Sequence, residues 1–202
     1  MMSGGKGEMM GSDFVTVVTG LPRSGTSMMM QVLEAGGMEI LSDNVRTSDE
    51  DNPRGYYEFE AVKQTKEDAS WVAEAAGKAV KMVYRLLYDL PAGYEYRVIF
   101  MRRDMEEILR SQKIMLERSG RDEGGVSEEM FAEMFKKDLV KIDEWLEGRE
   151  NMPVISVNYK DVIEEPAEQC RRVNEFLGGM LDVEKMQTAV DGSLYRNRRQ
   201  QQ

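Results

Sequence analysis

"DFVTVVTGLPRSGTSMMM" (residues 13–30) decides the fold. Residues 13–20 are apolar and β-branched without clean alternation, the pattern of a strand buried on both faces of a parallel sheet. From Gly25 to Glu34 the positions Met28, Met29, Val32 and Leu33 form the inner face of a helix, which Gly36 and Gly37 end. A strand, a glycine loop and a helix in direct succession aim several backbone N–H groups and the positive end of a helix dipole at one point. That point suits a phosphate. Ser24, Thr26 and Ser27 add hydroxyl donors, while Gly20 and Gly25 let the backbone approach closely.

Outward from this unit, strands and helices alternate. Residues 38–41 read as a short strand and Ser42 to Gly55 as a polar loop, long enough to have a task of its own. Glu58 to Ala76 reads as a helix with Trp71 and Ala75 inward, and 78–84 as a strand. "EYRVIFMRRD" (95–104) is a second buried strand, ending in arginines and followed by a helix that packs through Met105, Ile108, Leu109 and Ile114. Ser127 is placed to cap the next helix, with Glu128 and Glu129 in its first turn. That helix carries a stripe from Phe131 through Met134, Phe135 and Ile142 to Leu146. Residues 152–159 form the last strand, and a helix begins at Pro166 and ends in paired glycines. Such alternation predicts an α/β fold of three layers, α/β/α, around a mostly parallel sheet, with ligands at the carboxyl ends of the strands.

Composition narrows the chemistry. The chain of 202 residues suffices for one domain, taken as 13–195 between a disordered segment 1–12 and a basic tail 196–202. It is 41% hydrophobic and 32% charged, with no apolar run of membrane-spanning length, and its start resembles neither a signal nor a transit peptide. One cysteine, Cys170, excludes an internal disulfide and suits a reducing cytoplasm. With no histidine, a histidine base is excluded and no metal is expected. A net charge of −10 argues against a nucleic-acid surface, so an anion site must be a local gathering of arginines and backbone N–H groups.

The loop departs from that of ATP- and GTP-using enzymes, where lysine follows the second glycine and reaches the terminal phosphates. Position 26 is threonine, and the cation, Arg23, stands two positions before Gly25. Pro22-Arg23-Ser24-Gly25-Thr26-Ser27 resembles instead the 5'-phosphosulfate loop of the sulfotransferases that use 3'-phosphoadenosine-5'-phosphosulfate (PAPS). Arg103 and Ser111, eight residues apart, resemble that family's 3'-phosphate pair, and "VISVNYKDVIEEPAEQCRRVNEFLG" resembles its late block, with Val162 in place of leucine. "DNPRGYYE" (51–58) is similar to a segment of bacterial members.

The resemblance spans roughly residues 14 to 178 and implies a P-loop NTPase-like fold and transfer of a sulfuryl group from PAPS to a small-molecule or glycan acceptor. The product would be 3'-phosphoadenosine-5'-phosphate (PAP). It implies that Arg23 is catalytic, that Arg23, Ser24, Gly25, Thr26, Ser27, Arg103 and Ser111 bind the cofactor, and that Tyr159 lines the nucleotide site. Glu58 is the expected base in a chain without histidine, with Glu60 and Asp51 behind it. Two alternatives stay open: a PAP- or PAPS-binding module without turnover, and a small kinase using ATP and magnesium.

Overall fold

The computed structural model describes residues 14–43, 55–119 and 127–192. Segment 1–12, Asp51 and the tail 196–202 lie outside the described residues. Five strands, β1 (Phe14–Gly20), β2 (Glu39–Ile40), β3 (Lys78–Lys81), β4 (Glu95–Arg102) and β5 (Val154–Asn158), form a sheet of order β2-β3-β1-β4-β5. Every pairing is parallel. The helices are α1 (Thr26–Ala35), α2 (Met105–Ser119), α3 (Glu128–Glu147), α4 (Tyr159–Glu164), α5 (Pro166–Phe176) and α6 (Val183–Ala189).

The central strands explain the layers. Side chains alternate between the faces of a strand. Val15 and Val17 of β1, with Val98 and Phe100 of β4, pack against Ile108 of α2 and Ile142 of α3. Val18, Ile99 and Met101 enter a second cluster with Met29 of α1, Val173 of α5 and Met186 of α6. Burying each such side chain is worth about 1.5–3 kcal/mol, and with helices on both faces neither half of the pattern can be polar. The expected three-layer α/β/α architecture is the observed one.

Several local expectations change. No continuous helix spans 58–76; two 3-10 segments, Glu60–Gln64 and Ser70–Glu74, replace it. Side-chain bonds break the helix: Thr65 Oγ1 donates to the Val62 carbonyl and accepts from Trp71 Nε1 at 3.1 Å, and Asp68 accepts from the Ser70 N–H at 2.9 Å. Short polar side chains that satisfy the backbone locally compete with helix in this way. The strand expected over 78–84 ends at Lys81, and a 3-10 segment covers Tyr84–Asp89. Met134, expected inside, is 37% exposed, whereas Phe135 and Ile142 are buried. Ser127 caps α3 as expected, accepting from the Met130 N–H at 3.3 Å.

Register aligns the functional ends. Val18 pairs with Lys81, Gly20 with Met101, and Arg102 with Asn158. The carboxyl ends of β1, β3, β4 and β5 therefore share one edge, and residues leaving them, distant in sequence, become neighbours.

Candidate active site

The loop between β1 and α1 is built around backbone conformations that suit glycine. Gly20 has φ 153° and Gly25 φ 100°. A Cβ on Gly20 would lie 2.6 Å from the Met101 carbonyl oxygen, and one on Gly25 would lie 2.3 Å from Cδ2 of Tyr159. Arg23, at φ 67°, holds a left-handed conformation without being glycine, a strain of order 1–3 kcal/mol of the kind that clusters at functional sites. The Ser24 N–H donates to the Leu21 carbonyl at 3.1 Å and closes the turn.

The start of α1 is left open to an anion. Its cap residue, Gly25, supplies no side-chain hydrogen bond, and its first turn holds no acid. The first turns of α2, α3, α4, α5 and α6 each carry Asp or Glu. The first N–H groups of a helix have no partner within it. Donors without acceptors, gathered at a positive helix end, fit an anionic group.

Arg103, just beyond β4, connects this loop to its surroundings. Its Nη1 donates to the Arg23 carbonyl at 3.1 Å, and its Nε to Glu107 of α2 at 2.9 Å. Its guanidinium stacks 4.4 Å from the ring centre of Tyr159. Arg23 in turn donates from Nε to Ser111 Oγ at 2.9 Å. Tyr159 is the first residue of α4, behind the cap residue Asn158, and burial pushes its phenol above the ordinary value. Both arginines, Ser111, Gly25 and Tyr159 thus meet at one place.

A cavity of about 500 Å³ opens above them. Arg23, Gly25, Thr26, Ser27, Arg103 and Ser111 line it, as do Tyr159 and Glu58. Ser24 is the expected site residue that does not, because it is fully buried. Glu58 is held 3.5 Å from Lys63, and the Glu58 carbonyl accepts from the Asp43 N–H. Glu60 donates its N–H to Asp43 and forms an ion pair with Lys63.

Sequence reasoning missed Lys81, whose Nζ donates to Ser27 Oγ at 3.3 Å and to the Tyr56 carbonyl. It ends β3 on the edge where Arg103 leaves β4, a signal visible only once the strand order is known. Asp191 and Gln112 also reach the cavity unannounced. Phe59, Val62, Met82, Leu86, Ile114 and Met115 add apolar side chains to its lining.

The family model of the sulfotransferase domain matches residues 14–202. The chain belongs to the sulfotransferase domain family. As a sulfotransferase it is a transferase enzyme, and its solved neighbours agree in fold. The sulfotransferase domain from the curacin biosynthetic pathway is 14% identical, with a TM-score of 0.55 over 90% of this chain and 79% of that one. The sulfotransferase domain from the Synechococcus PCC 7002 olefin synthase is 13% identical, with a TM-score of 0.54 over 96% and 83%. Mouse sulfotransferase SULT7A1, solved with PAP, is 16% identical, with a TM-score of 0.56 over 93% and 68%. No curated protein matches this sulfotransferase in sequence.

Proposed function

We propose that this sulfotransferase uses PAPS as donor and a hydroxyl or amine on a small molecule or glycan as acceptor, releasing PAP. One observation carries the reading: the uncapped, acid-free start of α1 and the arginines 23 and 103 converge with Ser111 and Tyr159 on one cavity. In a chain of net charge −10, a lining with Arg23, Lys63, Lys81, Arg103 and Arg118 against Glu58 and Asp191 is a local anion trap. The PAP held by SULT7A1 is consistent with this donor.

When bound, PAPS supplies the sulfuryl group at the neighbouring cations. The N–H groups at the start of α1, with Thr26 and Ser27, hold the 5' end, and Arg103, Ser111 and Tyr159 hold the nucleotide end. Arg23 and Lys81 place positive charge where negative charge grows on the leaving oxygen, without reorganising during the reaction. Glu58 receives the acceptor's proton, the role left to a carboxylate where no histidine exists. Its pairing with Lys63 fixes it at the cavity wall.

The test is thermal unfolding with PAP and, separately, with ATP and magnesium. Ligand at about 100 times its dissociation constant stabilises by roughly 2.7 kcal/mol. A PAP shift lost in Arg103→Ala supports the donor; a shift only with ATP and magnesium overturns it. Glu58→Gln keeps the PAP shift and lowers turnover roughly 10²- to 10⁴-fold. A wild-type protein that binds PAP but transfers nothing to a broad acceptor panel would instead be a binding module.

A further inference from the structure

Glu58 stands where the chain passes from one core cluster to the other. Before it, Tyr57 packs against the cluster that holds Met29, Val173 and Met186. After it, Phe59 packs against the cluster that holds Val17, Phe100 and Ile142, with its ring edge-on to Trp71 at 6.3 Å. The two clusters fill opposite faces of the sheet, and the residue between these anchors lines the cavity. Tyr57 makes the turn. Its φ of 52° is left-handed, a conformation rare for a bulky side chain and kept only where the surroundings enforce it. Its hydroxyl donates to Glu34 of α1 at 2.7 Å. The flanking residues are tied as well: Lys81 donates to the Tyr56 carbonyl, the Asp43 N–H donates to the Glu58 carbonyl at 3.2 Å, and Asp43 Oδ2 accepts from the Glu60 N–H at 2.5 Å.

We infer that Tyr57 is a positioning residue for the transfer: its ring in the core and its hydroxyl on α1 fix the backbone turn that presents Glu58 to the cavity. The inference rests on the reading of Glu58 as proton acceptor given above. A base works only within about 2.6–3.2 Å of the proton's owner, so the backbone that carries the carboxylate must be held as firmly as the carboxylate itself. The pair with Lys63 acts on the carboxylate. Tyr57 acts on the backbone one residue away. The proton that Glu58 takes leaves the acceptor hydroxyl as its oxygen bonds to sulfur and the bond from sulfur to the bridging oxygen of PAPS breaks.

The experiment follows PAP release from PAPS with 4-nitrophenol, 1-octanol, glucosamine and water as acceptors, with PAP binding measured by thermal shift. Tyr57→Phe, Tyr57→Gly and Glu34→Leu are compared with the wild type, and each is repeated in the Glu58→Gln background. Tyr57→Phe and Glu34→Leu should lower kcat roughly threefold, the low end of one hydrogen bond because Glu34 is exposed, with KM for PAPS and the PAP shift unchanged. Tyr57→Gly accepts the left-handed angle yet loses both anchors, and kcat should fall by up to about 10²-fold, the scale of a misplacement of about 1 Å. In the Glu58→Gln background the same changes should alter turnover less than about twofold. Unchanged kcat in Tyr57→Gly, or equal losses with and without the Glu58 carboxylate, overturns the positioning role and leaves Glu58 as the base. If Tyr57→Gly does not fold, Tyr57→Phe and Glu34→Leu decide by the same criteria. Full turnover in Glu58→Gln, or a wild type that binds PAP and transfers to none of the acceptors, overturns the base and this inference together. Absence of a PAP shift overturns the donor reading as well.

Discussion

The Nε of Arg23 donates to the Oγ of Ser111 at 2.9 Å, joining two residues 88 positions apart. The crest of the β1–α1 loop is thereby tied to α2, and the groups proposed to hold the two ends of the donor form one connected unit. Arg103 closes the circuit through the Arg23 carbonyl. An arginine side chain loses considerable rotamer freedom when ordered, so a guanidinium held before the ligand arrives spares part of that cost.

Ser111→Ala removes both the tether and a hydroxyl. Its expected effect is a roughly tenfold weaker dissociation constant for PAP, about the value of one hydrogen bond to a charged group, accompanied by a fall in kcat. Calorimetric titration and initial rates report the two separately. If kcat holds while PAP affinity drops, Ser111 serves binding alone and the positioning of Arg23 does not depend on it.

Gly25→Ala meets two obstacles. The backbone sits at φ 100°, and the new Cβ would be 2.3 Å from a Tyr159 ring already stacked under Arg103. Strain of this kind costs of order 1–3 kcal/mol. Urea unfolding should record that loss in the free protein, and PAP should no longer raise the unfolding midpoint. A variant with wild-type stability and a full PAP response would show that the ring has room to retreat.

The Arg103–Glu107 ion pair is 2.9 Å long with side chains only 9% and 4% exposed. Glu107→Gln leaves the guanidinium without its counter-charge, and breaking a buried pair on one side typically costs about 3–5 kcal/mol. The lower end is expected, because the amide oxygen still accepts a hydrogen bond. Glu107→Asp should lose less than Glu107→Gln in the same denaturant titration; the reverse order would remove charge from the explanation.

Alkaline pH should weaken the fold through Cys170. Burial pushes its thiol from 9.0 to about 11. The folded state then holds this proton more tightly than the unfolded state does. The contribution is complete below pH 9 and is lost as pH rises toward 11, by up to about 2–3 kcal/mol at 1.36 kcal/mol per unit. Cys170→Ala should flatten the fall in stability between pH 9 and 11. Identical slopes in wild type and variant would assign the fall to other groups.

Local pattern was enough for the frame of this protein. β1 and β4 are legible because strands buried on both faces must be apolar throughout. α1, α2 and α3 are legible because their apolar positions recur at the helical period, and the loop at 20–27 because few residue types accept its backbone angles or donate to an anion. Arg23, Arg103, Ser111 and Tyr159 could be named from motif order, and Glu58 from the absence of histidine. Tertiary structure alone decided the rest. Residues 58–76 broke into 3-10 turns because Thr65 and Asp68 found nearer partners than a helix provides. Tyr159 opened a helix rather than ending a strand. Lys81, Asp191 and Arg118 carry no motif that marks them as cavity residues. They line it because parallel register stacks the strands' carboxyl ends and two turns of α2 extend the wall, relationships between residues too far apart in sequence for any local pattern to record.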